Sequence, residues 1–491
     1  MNAGLMKGTR RDFLGALAAF STVAGNVAFA GKAGSERLKV GILSDIHVTM
    51  DDNPAVTAGN ADTFEKALRY FSERGADAVL VAGDLVDAGL KSELVRFAEC
   101  WRKVFPDDKR PDGGHVEKIF IYGNHDADGC RWTGYAKGKL LTEANRTAMG
   151  IGYGDNRARF WRELFGEEYS PIYIKDVKGY KFVARHWDAS IPKTAVRRFL
   201  EEHRSELAGS KPFFYTQHNH PKGTCSAPWV WGQDDGISTQ ALSAFPNAVA
   251  FSGHSHTSLT DDRTLWRGAF TSVGTASLRY IIPFGGRENS RIFDSRREKP
   301  EQMPWLECLD GSQGQFMTVY DDCIVLERRD FANDLPAGPD WVVPLPARGE
   351  SFAERSGKFA VPQFAADAAV DTKRINGRNR VGKPTPQICV RFPNVKGGGD
   401  SARAFDFEVA VELREVDTRS IWMTKRVFSP HFYRAAEKDA EKVECLFALS
   451  ELPSPNGRLP LERGRRWRFC VSPADCYGRH GKPIRSEWMS E

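Results

Sequence analysis

The 491-residue chain lacks any run of about 20 uninterrupted apolar residues, which excludes a multi-span membrane protein. It also lacks a C-x-x-C pair. Its nine cysteines are scattered and odd in number, so they describe neither a disulfide framework nor a thiolate zinc site, although individual bridges stay open. Long basic tracts are missing as well. The 69 Lys and Arg against 64 Asp and Glu leave a net charge of +5 spread along the chain, and nucleic-acid binding gains little support. No G-x-x-x-x-G-K-[ST] phosphate loop, long internal repeat or low-complexity tract occurs. What is present is foldable material: 41% hydrophobic and 27% charged residues, over a length that suits about two to four domains.

The first thirty residues stand apart. Thr9-Arg10-Arg11-Asp12-Phe13-Leu14 precedes a mildly apolar stretch containing Gly15 and Gly25, which ends in the small-x-small triplet Ala28-Phe29-Ala30. This stretch resembles a bacterial twin-arginine export signal. The resemblance implies removal of residues 1–30, passage of a folded protein through the twin-arginine machinery, and a periplasmic or secreted destination. An ordinary secretory signal or a single uncleaved anchor remains open as the alternative.

Beyond the leader, apolar runs end at polar residues. Leu38 to Leu43 stops at Ser44-Asp45, Ala76 to Ala82 at Gly83-Asp84, and Ile119 to Tyr122 at Gly123-Asn124. Phe64, Ala67, Leu68 and Phe71 recur at helical spacing between the first two, as do Leu94, Phe97, Ala98 and Trp101 between the second and third. The pattern is β-α-β-α-β. Further strands are expected at Tyr180 to Ala184, Phe213 to Thr216 and Ala248 to Phe251, with a helix from about Thr194 to Leu207. A hairpin is expected at Phe316 to Leu326, around Asp321-Asp322. Prolines 336, 339, 344 and 346 suggest an extended linker over 334–360. After it the period changes to two, as in Phe405, Phe407, Val409, Val411 and Leu413, which describes a separate all-β sandwich over 361–491. The region from Trp467 to Pro483 partly resembles the last hairpin of a fibronectin type III domain.

Five polar blocks follow strands in order: Asp45-x-His47, Gly83-Asp84, Gly123-Asn124-His125-Asp126, His218, and Gly253-His254-x-His256. Residues just past the carboxyl ends of strands in an α/β sheet converge on one crevice, so distant segments can build one site. Mixed carboxylate, amide and imidazole groups in this number suit two cations; a single tetrahedral zinc would leave several unused.

The ordered blocks resemble the calcineurin-like metallophosphoesterase superfamily over about residues 38 to 330, and the domain is expected to span 36–333. The resemblance implies a layered α/β fold, a β-sandwich core flanked by helices. Asp45, His47 and His256 would hold one metal, Asn124, His218 and His254 a second, and Asp84 would bridge them. His125 would assist the leaving group while a hydroxide between the metals attacks phosphorus, with no covalent enzyme intermediate. Mixed N and O ligands suit manganese, iron or zinc. The expected substrate is a small-molecule phosphomonoester or phosphodiester. In Gln217-His218-Asn219-His220-Pro221 the ligand is expected to be His218, with His220 behind it or touching substrate. Asp126 is expected to orient a neighbour or cap a loop, and His186 to be structural. Ser255 in G-H-S-H-T lacks the closing glycine of a nucleophile elbow. A catalytically vestigial metal-binding scaffold, or a glycan- or partner-binding envelope protein, is the competing reading; loss of ligands would mark it, and here every block is intact.

Overall fold

A computed structural model describes residues 34–49, 60–136, 139–225, 232–282, 286–290, 311–379, 383–395, 403–415, 418–432, 442–453 and 466–489. The expected export signal lies outside these residues. In chain order the first strands are β1 (Leu38–Leu43), β2 (Ala78–Val81), β3 (Glu117–Phe120), the short pair β4 (Tyr135–Ala136) and β5 (Lys139–Leu140), β6 (Ile172–Val177), β7 (Tyr180–Arg185) and β8 (Phe213–Thr216). They continue with β9 (Ala248–Ser252), β10 (Leu265–Arg267), β11 (Thr271–Gly274), β12 (Gln313–Val319), β13 (Cys323–Asp330), β14 (Leu335–Pro336) and β15 (Trp341–Pro344).

Two sheets form. The first runs β14-β13-β12-β1-β2-β3, with β15 also on β13; the second runs β10-β11-β9-β8-β7-β6. β1, β2 and β3 are parallel, and so are β7, β8, β9 and β11, so their carboxyl ends lie together along one edge of each sheet. Alternation along each strand sends side chains to opposite faces. Val40, Leu80 and Ile119 meet Phe182, Phe214, Phe251 and Val273 in a shared core between the sheets. On the outer face of the first sheet, Val79, Val81 and Phe120 pack on Phe64, Phe71, Phe97 and Trp101 of helices α1 (Asn60–Glu73) and α2 (Lys91–Val104). On the outer face of the second, Val183, Phe213 and Tyr215 cover Val196, Leu200 and Leu242. Strands buried on both faces read as unbroken apolar runs, which is why these were visible in the sequence. The result is the expected layered α/β core, a β-sandwich flanked by helices.

Three expectations shift. β3 starts at Glu117 and ends at Phe120 because β2, its partner, spans only Ala78 to Val81; Ile121 and Tyr122 continue as buried non-strand residues. The helix expected from Thr194 breaks at His203 into Ala195–Glu202 and Arg204–Leu207. The proline-containing segment after residue 333 is not simply extended: β14 and β15 hydrogen-bond to β13, and Phe352–Ser356 is a short helix.

The C-terminal strands are β16 (Asp371–Arg378), β17 (Pro384–Pro393), β18 (Asp406–Glu415), β19 (Thr418–Phe428), β20 (Lys442–Ala448), β21 (Arg466–Ala474) and β22 (Ile484–Arg485). They make two all-antiparallel sheets, β16-β17-β20 and β19-β18-β21-β22, around Val390, Phe407, Val409, Phe447 and Phe469. The two parts of the chain touch directly. Phe405, Phe428 and Phe432 join the core of the first part, and Arg287 binds the buried Asp406 carboxylate at 2.6 Å. Asn289 exchanges two hydrogen bonds with the backbone of Phe428, at 2.8 and 3.1 Å. None of the eight described cysteines is paired, and among the described residues no helix is long and apolar enough to cross a membrane.

Candidate metal centre

All five polar blocks fall where the crevice argument puts them. Asp45 and His47 follow β1, Asp84 follows β2, and Asn124 and His125 open helix α3 (Asn124–Trp132) after β3; His218 follows β8, and His254 and His256 follow β9. The local backbone is unusual. Asp45, His47, Asp84, His254 and His256 have φ between 50° and 66°, the left-handed region that costs non-glycine residues on the order of 1–2 kcal/mol each. Hydrogen bonds between the loops oppose that strain: Asp45 N–H donates to Gly83 O at 3.0 Å, and Ile46 and His47 N–H both donate to Asp84 O, at 2.9 and 3.0 Å. The glycine ahead of a block has a steric reason. A Cβ on Gly253 would lie 1.8 Å from Ser44 Oγ and 2.2 Å from Asp45 Oδ2, and one on Gly123 would lie 2.2 Å from Asp84 Oδ1.

The side chains gather around Asp84 into the two groups that the resemblance implies, and His47, Asp84 and His125 form a third, overlapping set between them. Asp45, His47 and His256 present ligand atoms within 4.8 Å of one another, and so do Asp84, His218 and His254. His256 Nε2 is 3.0 Å from Asp45 Oδ1 and 3.3 Å from His47 Nε2. In the second group His218 Nε2 lies 3.1 Å from Asp84 Oδ2 and 2.9 Å from Asn124 Oδ1. Asp84 Oδ2 is also 3.7 Å from His47 Nε2, which places that one oxygen between the groups. The far ring nitrogens are held by backbone carbonyls: His218 Nδ1 by Ala82 O at 2.8 Å and His256 Nδ1 by Tyr280 O at 2.9 Å. Such bonds leave each Nε2 as the atom aimed into the site.

Charge is tightly balanced there. Burial alone would raise Asp45 and Asp84; the imidazoles outweigh it, His256 and His218 for Asp45 and chiefly His218 for Asp84, and hold both carboxyls well below the usual range. Burial pushes His47 down to about 4 and His254 to about 3, whereas for His218 the Asp84 and Asp45 carboxylates overcome burial and push it up to about 9. Asp45 Oδ1 is buried and accepts no hydrogen bond. An orphaned carboxylate oxygen among converging imidazole nitrogens fits a cation. The donor set, two carboxylates, four imidazoles and one amide oxygen, fits a pair of them.

His125 differs from its neighbours in being about one-third exposed. Its Nδ1 donates to Asp87 O at 2.7 Å, which turns Nε2 toward the crevice, and its backbone N–H donates to Asp84 Oδ1 at 2.9 Å. Asp126 orients neighbours, as expected: its carboxylate accepts from the backbone N–H groups of Leu85, Val86 and Gly123 at 3.1, 2.9 and 2.7 Å, tying the Asp84 loop to the Asn124 loop. Asp87 was not singled out in the sequence, although it stands three residues after Asp84. It accepts from His47 Nδ1 at 3.1 Å and pairs with Arg279.

Of the two places expected for His220, behind the ligands or against substrate, the hydrogen bonds fit the first: Nδ1 is engaged with Ser252 Oγ at 2.7 Å and Nε2 with Ser255 Oγ at 2.6 Å, so neither nitrogen is left to meet a substrate. Burial pushes it down to about 4, in keeping with a neutral structural ring. His186 is structural too, accepting from Tyr122 N–H at 2.9 Å within a ring of Tyr122, Trp161 and Tyr169.

The profile of the calcineurin-like phosphoesterase family matches residues 38–258, a little under half of the chain. No curated protein matches it. Among solved structures, a dimetal phosphatase from Danio rerio is 12% identical, with 63% of this chain and 99% of that one covered at a TM-score of 0.34. A purple acid phosphatase from yellow lupin seeds, Lupinus luteus, is 14% identical, with 65% and 54% covered and a TM-score of 0.34. An archaeal phosphodiesterase is 13% identical, with 49% and 85% covered and a TM-score of 0.24. The profile match spans all five polar blocks, so residues 38–258 are similar to the calcineurin-like phosphoesterase family at every one of the converging side chains.

Proposed function

We propose that the protein is an exported, dinuclear metal-dependent hydrolase of small-molecule phosphate esters. The observation that carries this reading is the position of Asp84 Oδ2, shared between an imidazole of each group at 3.1 and 3.7 Å. Asp45, His47 and His256 would hold one cation, Asn124, His218 and His254 the other, with Asp84 common to both. Two such cations, once bound, acidify water and neutralise phosphate charge. Manganese, iron and zinc all suit the donors.

The chain's own groups supply the rest. In hydrolysis the oxygen of water forms a bond to phosphorus, the ester P–O bond breaks, and the departing alkoxide needs a proton. His125 Nε2 faces the crevice while Asp87 O anchors Nδ1, so the imidazolium can give its proton to that oxygen and be reprotonated from water. No serine or cysteine nucleophile is required. Residues 1–30 are read as the export leader, which places the mature protein in the periplasm or outside the cell.

Turnover of 4-nitrophenyl phosphate with added manganese, iron or zinc tests the activity. Elemental analysis should find two metals per chain, and chelation should abolish the rate. His125→Ala should lower kcat by about 10²–10⁴-fold with metal content unchanged; equal turnover by the variant refutes the assigned role. Export should fail when Arg10 and Arg11 are both replaced by Lys, and unchanged export would remove the twin-arginine reading.

A further inference from the structure

The mouth of the centre is aromatic. Trp132, at the end of the helix that begins with Asn124, has its ring centroid 5.3 Å from that of His125, edge to face, and is 57% exposed. Tyr280 lies 4.4 Å from His256 and 6.1 Å from His47, and Trp187 lies 5.8 Å from His254 and 6.1 Å from His218. Arg279 and Arg287, the two described arginines of the segment between β11 and β12, do not offer a second anion site. Arg279 is bound to Asp87 and Arg287 to Asp406. Trp132 thus presents a largely exposed aromatic face directly beside the one partly exposed histidine of the site.

We propose that Trp132 is the specificity-determining face of a leaving-group subsite, and that the preferred substrates are phosphate esters whose organic part presents a flat aromatic ring close to the ester oxygen. The inference rests on the phosphoesterase reading, since His125 marks the leaving-group side only if it protonates that oxygen. A ring stacked on Trp132 would be held next to His125 Nε2, so the binding energy of the organic group also positions the oxygen that receives the proton. A second anionic group would find Arg279 and Arg287 already paired. The ring can come from a phenolic ester or from a nucleobase; the chemistry of stacking is shared.

The test compares kcat/KM ratios for matched pairs: phenyl phosphate against glycerol phosphate, and a nucleoside 5′-monophosphate against ribose 5-phosphate. Trp132→Ala should lower the aromatic-to-aliphatic ratio about tenfold in at least one pair, through KM, while Trp132→Phe retains most of it. A fall in the phenyl pair assigns a phenolic ester, and a fall in the nucleotide pair assigns a nucleobase. Unchanged ratios in both pairs overturn the proposal. Calorimetric binding of phenylphosphonate against methylphosphonate to the metal-loaded protein gives a readout without turnover. If the wild type hydrolyses nothing, the phosphoesterase reading falls, and loss of the phenylphosphonate preference in Trp132→Ala alone decides the subsite.

Discussion

Glu93 gives a sharp test of the buried electrostatics around the site. It sits in the first turn of α2, 2% exposed, and its Oε2 accepts from the backbone N–H groups of Ala88 and Leu90 at 3.0 and 3.2 Å. Burial, which outweighs those two bonds, pushes its carboxyl up to about 8 from an ordinary 4.5. For an acid raised in the folded state, stability is full below the unfolded value and falls as pH climbs through the window between the two. There the unfolded chain has lost its proton and the folded chain keeps it. Each pH unit of that window is worth about 1.4 kcal/mol, so the whole of it amounts to about 5 kcal/mol by pH 9. Glu93→Gln keeps an oxygen for both amides and removes the titration. Chemical denaturation of metal-free wild type and variant should give stabilities within about 1 kcal/mol at pH 5 and favour the variant by about 3–5 kcal/mol at pH 9. Taking the difference between the two proteins cancels the other titrating groups. A difference that is flat from pH 5 to 9, or a variant less stable than wild type at pH 9, refutes the reasoning.

Asp126→Ala deprives three buried N–H groups of their acceptor and should destabilise the domain by about 3–9 kcal/mol, at about 1–3 kcal/mol for each unsatisfied group. Elemental analysis should also show less bound metal, because the Asp84 and Asn124 loops are no longer tied; wild-type stability would show that the carboxylate is not the tie. Gly253→Ala brings a methyl group within 1.8 Å of Ser44 Oγ and 2.2 Å of Asp45 Oδ2, and should cut metal content and turnover together. Gly75→Ala, whose new methyl meets nothing within 4 Å, should leave both near wild type and cost only about 1 kcal/mol for its left-handed backbone.

The sequence was most legible where physics wrote the same message twice. An apolar run such as Ala78 to Val81, buried on both faces, is a strand by composition, and the polar block at its end is a site by position. The five polar blocks followed from that conjunction, and the ligand roles within them and the role of His125 were what the family resemblance implied. Legibility failed where burial is one-sided or the element is short. β6 carries Lys175 and Asp176, β10 has three residues, and β16 presents a largely exposed, charged edge, so none offers a clear period. Helix boundaries such as the break at His203 depend on local capping. Asp87 was missed because a carboxylate that acts on His47 and Arg279 from behind carries no spacing signal. His220 looked like a site residue because it lies two positions from His218; its partners, Ser252 and Ser255, flank the ligands of another strand and become neighbours only in the fold.

The seam between the two parts of the chain bears on how the protein can be dissected. Residues 286–290, fastened to β18 and β19 through Arg287, Glu288 and Asn289, belong to the same excursion as Arg279 and Tyr280, which rim the pocket. A fragment ending after β13 would retain every ligand and yet lose the moorings of that rim, baring apolar surface where Phe405, Phe428 and Phe432 had been. The C-terminal sandwich is therefore fastened to the same stretch of chain that carries Arg279 and Tyr280, and a cut between the two parts would sever those bonds while leaving the ligand-bearing loops in place.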